Sequence, residues 1–490
     1  MTIALSKPQS RRLFNYAITL AAGVSQIVAS VYLSRQAFKL FDVPDLKIWF
    51  LMLAAMPFLS LFELGATVVL PHRLASVEYR AGEVGEIASN FIATVLLALA
   101  CALTVGALTL WASTRCGLLA EHAALLLAVL GAASAVRILA NVMHGLLFAQ
   151  GDNLYDKSLR VVSIVVMTTV ITAGLFAGLG LWAMPLGWAA AGITSIFASL
   201  YRQRTRWQVR LHYLHVRRAN VVATTREAMR YVLIALPGQM VFNATPFIIA
   251  SRLPAQYTVA FGLTQQLIGG ITLMVSLPIT IATPRLAATY RVDKAGARAI
   301  LLDTMGNVAM ISATALALVA GSVDQITHAW IGQVVPISGV FLAVYFSVMF
   351  IEWQQTTATT ATMVTGNMNF VTVTIVSALI VVSTMPVLIG YFGFLGVPLA
   401  LLFAQMLTCH PHNFWKAFRA YEISLANYLP KLVPAFLVAA CVGAVGAVLR
   451  GLALPQLAQL ALTSCIAASI CLAGLFMINR SAAQTLDAHK

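Results

Sequence analysis

The chain has 490 residues, of which 60% are hydrophobic and 10% charged, with a formal charge of +15 at pH 7. Soluble globular chains carry roughly 25% charged and about 45–50% apolar residues, so this composition argues against a cytosolic enzyme or a nucleic-acid-binding domain. It fits an all-α integral membrane protein, because a helix pairs its own backbone groups within lipid and an isolated strand does not.

In chain order, about 14 apolar stretches approach or exceed the length of a helix crossing a hydrocarbon layer roughly 30 Å thick. They cover 13–38, 46–70, 91–112, 123–149, 161–179, 182–201, 231–251, 258–283, 299–320, 337–363, 371–390, 392–407, 431–448 and 454–477. Residues 1–205 are expected to form a first lobe of six spans and 206–230 a basic connector. A second lobe of six spans follows in 231–410, and residues 411–490 carry two extra C-terminal spans. The basic start (Lys7, Arg11, Arg12) precedes an apolar run too long for a signal peptide and reads as an uncleaved first span.

Placing the N-terminus inside puts roughly 24 Lys and Arg on inner loops and tails and about 6 on outer turns, which orients both termini to the cytoplasm. The densest run lies between spans six and seven: Arg202, Arg204, Arg206, Arg210, Arg217, Arg218, Arg226 and Arg230. It reads as a connector touching anionic lipid and is too short for a nucleic-acid site. The six cysteines show no paired spacing, and His410 and His412 alone do not make a metal site, so neither a metal nor another cofactor is expected.

An internal repeat is legible. RLASVEYR at 73–80 returns with one gap as RLAATYR at 285–291, AQGDN at 149–153 lies opposite VTGNM at 364–368, and Ser34-Arg35 matches Ser251-Arg252. All three offsets are close to 215 residues. Both copies start on the inner side, which predicts two parallel six-helix lobes related by a pseudo-two-fold axis along the membrane normal, with a substrate path between them.

Polar residues inside spans are costly in lipid and mark cavities or partners. Ser134, Arg137, Asn141 and His144 fall on one helical face, as do Glu352, Gln355, Thr359 and Thr362. The repeat sets Arg137 opposite Glu352, so the two either pair to join the halves or line a hydrated cavity. His144 serves equally well as an interhelical hydrogen-bond partner or in transport. Gln26 and Asn243 also correspond, though amides commonly hold membrane helices together. Arg35 and Arg252, near outer ends, either snorkel to headgroups or contact an anion at the mouth. Glu63 in LFELG is a candidate proton or cation site. No phosphate-binding loop and no hydrolase or zinc-protease motif occurs in the sequence.

The order of S-R, LFELG, RLASVEYR and GLLFAQGDNLYDKSLR (145–160), followed by SRLPAQYTVAFGLTQQL and ATMVTGNMN, resembles the polysaccharide repeat-unit flippases of the multidrug/oligosaccharidyl-lipid/polysaccharide exporter superfamily. The resemblance covers about 420 residues. It implies two six-helix lobes around a basic cavity, alternating access, and a location in a bacterial inner membrane. The implied substrate is an undecaprenyl-pyrophosphate-linked oligosaccharide, with a glycan polymerase and other export machinery as partners. Arg137, with Arg35 and Arg252, would then meet pyrophosphate, while Asn141, His144, Gln355 and Thr359 would meet sugar. Glu352 departs from this picture by bringing negative charge towards an anion, either neutralised by Arg137 or acting in coupling. The rival readings are a multidrug or cation antiporter of the same superfamily, a lipid II flippase, and a non-transporting scaffold.

Overall fold

The structure, a computed structural model, describes residues 8–66, 70, 73–74, 81–116, 121–209, 211, 216–333, 335, 337–365, 370–450 and 455–487, and these form helices joined by short connections. Ten helical stretches among the described residues are long and apolar enough to cross a membrane. The chain divides into two compact units, Met1–Gln239 and Met240–Lys490.

The first unit contains α1 (Pro8–Leu40), α2 (Val43–Leu59), α3 (Ala81–Arg115), α4 (Glu121–Ala149), α5 (Asn153–Phe176), α6 (Ala183–Thr205) and most of α7 (Arg218–Asn243). Asp42 caps α2 by accepting from the Asp45 amide at 3.0 Å, with a proline in the first turn. The expected span 46–70 is not one helix: after Pro57 the chain tightens into a 3-10 turn, Ser60–Glu63, and leaves it through Leu64 and Gly65, both with positive φ. Irregular backbone at membrane depth is tolerated only where protein or a water-filled cavity covers it, and this break carries Glu63.

α5 and α6 form a hairpin through Gly178 and Gly180, at φ 76° and 56°. A Cβ on Gly187 would come within 2.3 Å of Ile171 Cγ1, and one on Gly192 within 2.9 Å of Val136 Cγ1, so α5 and α4 both lie hard against α6. The stretch expected as a connector is helical from Arg218, and Ala228 of α7 packs with Leu64, Phe91 and Ile138 in one apolar cluster.

The second unit contains α8 (Thr245–Arg252), α9 (Ala255–Val275), α10 (Leu277–Tyr290), α11 (Lys294–Ile331), α12 (Gly339–Val364), α13 (Val371–Phe392), α14 (Gly396–Leu407), α15 (Cys409–Ala420), α16 (Leu425–Arg450) and α17 (Gln456–Asp487). α11 begins at Asp293, which caps the Gly296 amide at 2.9 Å, and ends at Gly332 with φ 81°. The C-terminal helices α16 and α17 pack on α11, and Lys431 Nζ meets Asp303 Oδ1 at 2.7 Å across that seam. α12 has the length of a span yet is not among the ten, because Gln354, Gln355 and a run of threonines lower its hydropathy.

Structural equivalences within the units extend the repeat read from sequence. Each unit has a helical hairpin closed by a 3-10 turn, Gly180–Trp182 and Gly393–Leu395, followed by Pro185 and Pro398; the offset from Gly180 to Gly393 is 213 residues. Each second span breaks at a serine whose hydroxyl bonds the carbonyl three residues back, Ser60 to Pro57 and Ser276 to Leu273. Of the first RLASVEYR copy only Arg73 and Leu74 are described, and in VTGNM only Val364 and Thr365.

Candidate functional site

In the first unit the polar face of α4 meets the 3-10 turn after α2 and helices α5 and α6. Asn141 Nδ2 donates to Glu63 Oε1. Arg137, one turn away, donates from Nη1 to Met167 Sδ at 3.2 Å and sits with its guanidinium carbon 6.0 Å from the Trp188 ring centre. A thioether and an aromatic face are weak partners for a group with five N–H donors. Most of that donor capacity has no protein acceptor among the described residues.

His144 is buried and joins a second chain of contacts. Its Nδ1 lies 2.7 Å from Asp156 Oδ1 and its Nε2 3.3 Å from Ser195 Oγ, which in turn bonds Ser163 Oγ. With Nδ1 donating to the carboxylate, Nε2 is left to accept from Ser195. Asp156, fully buried, also takes Arg160 Nε at 3.3 Å and lies 3.8 Å from Lys157 Nζ. At the turn between α4 and α5 Asp152 accepts from Arg202 Nε at 2.8 Å and from Trp207 Nε1, while Gln150 and Gln203 exchange two amide bonds.

In the second unit Glu352 accepts from Gln405 Nε2 at 2.8 Å and from Thr356 Oγ1 at 3.4 Å, and no cation of that unit pairs with it among the described residues. Gln355 is buried, and Thr359 donates to the Gln355 carbonyl at 2.9 Å. The repeat relates Arg137 to Glu352 and Gly192 to Gln405. In each unit, therefore, the charged residue of the fourth or tenth predicted span meets the equivalent point on the hairpin helix.

Of the residues expected at a site, Arg137, Asn141, His144 and Glu63 come together on or beside α4. Gln26 and Arg35 are exposed on α1, and no contact among the described residues joins them to that network. Arg252 is exposed at the end of α8, and Asn243 is half-buried where α7 ends. Sequence reasoning missed Asp156, Arg160, Ser195, Gln405 and Thr356. Asp156 and Arg160 do carry a signal, an i, i+4 acid–base pair within GDNLYDKSLR.

No family model matches the chain, and no curated protein matches it by sequence. Solved structures do. The chain is similar to the lipid II flippase MurJ in an inward-closed conformation, with a TM-score of 0.71 and 11% identity over 96% of this chain and 99% of that one. It is also similar to an inward-facing multidrug resistance MATE transporter of the MOP superfamily, with a TM-score of 0.61 and 13% identity over 82% of this chain and 95% of that one. A Vibrio cholerae MATE transporter gives 0.55 and 13% over 85% and 98%. The chain therefore shares the fold of these solved structures. The 66 residues from Leu425 onward make up about 13% of the chain, so the 96% coverage by the lipid II flippase takes in most of α16 and α17.

Proposed function

We propose that this chain is a transporter that moves a pyrophosphate-linked glycolipid from the cytoplasmic to the outer leaflet by alternating access, with both termini on the cytoplasmic side. In this reading the helices form two six-helix lobes of pseudo-two-fold symmetry, with α16 and α17 as an added pair. The observation that carries it is Arg137: a half-buried guanidinium inside a span, held by a thioether and a ring face, has donors to spare for an anion. Its planar fork suits phosphate oxygens, and the bonds are charge-assisted in a partly dehydrated site. Between a surface-polysaccharide repeat unit and lipid II as cargo, the fold favours lipid II. The likeness to the lipid II flippase takes in most of the C-terminal helices, whereas the two MATE structures leave 18% and 15% of this chain uncovered.

The test is leaflet exchange by the purified protein in vesicles carrying fluorescent lipid II or a lipid-linked repeat unit. Wild type should equilibrate the labelled lipid between leaflets. Arg137→Ala should slow exchange by at least about tenfold, the loss expected for removing one charge-assisted contact, and Arg137→Lys should fall between. Transport of a cationic dye with neither glycolipid moved would replace this reading with the drug antiporter.

A further inference from the structure

α12 turns one polar stripe outward over its inner half. Glu352, Thr356 and Thr360 lie four residues apart and share a face; Thr356 is exposed and the other two are half-buried. A carboxylate and two hydroxyls facing acyl chains would be costly, so this stripe borders water or a ligand rather than lipid.

Its hydrogen-bonding capacity is one-sided. Thr360 Oγ1 donates to the Thr356 carbonyl at 2.8 Å, and Thr356 Oγ1 donates to Glu352 Oε1 at 3.4 Å. Both hydroxyl protons are thus committed within the helix, and each oxygen keeps a lone pair. Beside them, Gln405 is buried, donates to Glu352, and leaves its Oε1 without a partner, as does the buried Gln355 Oε1. Unpaired buried acceptors are expensive until a donor reaches them. A phosphate group, which brings only acceptors, gains nothing here. A ligand rich in O–H and N–H groups does.

We propose that this acceptor stripe binds the glycan of the transported lipid, its hydroxyl and amide N–H groups donating to Glu352, Thr356 and Thr360; the assignment rests on the glycolipid reading above. A single metal ion is a poor match. The Thr356 and Glu352 oxygens lie 3.4 Å apart, but Thr360 stands a further helical turn, about 6 Å of rise, along the stripe, whereas a calcium ion gathers six or more oxygens within about 2.6 Å. A chain of sugar rings presents its hydroxyls over just such a length, and a carboxylate accepting from two neighbouring hydroxyls makes charge-assisted bonds. Glu352 thereby has a role beside an anionic lipid without having to meet its phosphates.

The experiment compares two probes on the full chain in lipid nanodiscs: lipid II, and undecaprenyl pyrophosphate without sugar. Wild type should hold lipid II at least about tenfold more tightly. The double variant Thr356→Val/Thr360→Val, which keeps shape and removes both hydroxyls, should weaken lipid II binding by about tenfold and leave the bare pyrophosphate lipid within about twofold. Glu352→Gln should do the same. Equal losses on both probes, or none, overturn the proposal, as does a loss that disappears when sodium is replaced by choline, which would mark a cation site. Equal wild-type affinity for the two probes overturns the glycan site but leaves the glycolipid reading standing. Binding of neither overturns both.

Discussion

Asp156 is a fully buried charge in the first unit, and its removal gives a graded prediction. The carboxylate is fully buried and holds His144 Nδ1 at 2.7 Å, with Arg160 and Lys157 on its other side. The Arg160 and Lys157 side chains are 33% and 27% exposed, enough to turn towards water when the carboxylate goes, whereas the His144 side chain at 4% is not. Asp156→Asn keeps an acceptor for the imidazole N–H and loses only charge, so it should cost about 1–2 kcal/mol. Asp156→Leu strands a buried imidazole donor and should cost about 1–3 kcal/mol more than that, the penalty for an unsatisfied buried donor. Adding His144→Leu to Asp156→Leu should recover part of that loss, since the orphaned group is then absent. Unfolding of the purified chain in mixed micelles, followed by tryptophan fluorescence, measures all four proteins. If Asp156→Leu costs under about 1 kcal/mol, or the leucine variant is no worse than the asparagine one, His144 does not depend on Asp156 and the reasoning fails.

The other predictions are these. Gly396→Ala places a Cβ 2.3 Å from the Leu388 carbonyl in a tight hairpin, so it should destabilise by at least about 1–3 kcal/mol in the same assay, while Gly390→Ala, with open space around it, should be nearly silent. Reporter fusions after Arg210 and after Lys490 should both read as cytoplasmic and one near Gln333 as periplasmic; a periplasmic signal from the 202–230 loop would overturn the orientation. Lys431→Ala should loosen α16 from α11, seen as faster proteolysis between Tyr421 and Leu425, and Asp303→Lys combined with Lys431→Asp should restore much of the protection.

Much of the architecture is legible because hydropathy and helix length are local properties. The breaks are less so. Span 46–70 reads as continuous by hydropathy, yet Pro57 and the positive φ at Leu64 and Gly65 interrupt it, and both Pro57 and Gly65 were visible. A further repeat, GLWAMPLG against GFLGVPLA, matches at three of eight positions and carries no charge, so polar motifs do not reveal it. At the candidate site the periodicity of α4 correctly places Arg137, Asn141 and His144 on one face, because that follows from 3.6 residues per turn. Their partners come from other segments: Glu63 from the turn after α2, Met167 from α5, Trp188 and Ser195 from α6. Spacing along one helix has no information on such tertiary pairings. On α12 the same periodicity is shifted: the outward stripe is Glu352–Thr356–Thr360, whereas Gln355 and Thr362 turn inward.

The short helix α14 bears on how the chain enters the bilayer during synthesis. Its 12 residues span about 18 Å, too little for a translocon to release as an independent segment into a layer about 30 Å thick. α13, with 22 residues, is long enough, and the 3-10 turn at Gly393–Leu395 brings α14 directly back along it. The pair therefore partitions into lipid together, as a preformed hairpin whose second arm is sheltered by the first. The same turn at Gly180–Trp182 sets α5 and α6 up alike, though α6, with 23 residues, could also cross unaided. A lesion in the Gly393 turn would thus be felt first at the ribosome, as retention of α14 outside the membrane, before any folded transporter exists to be impaired.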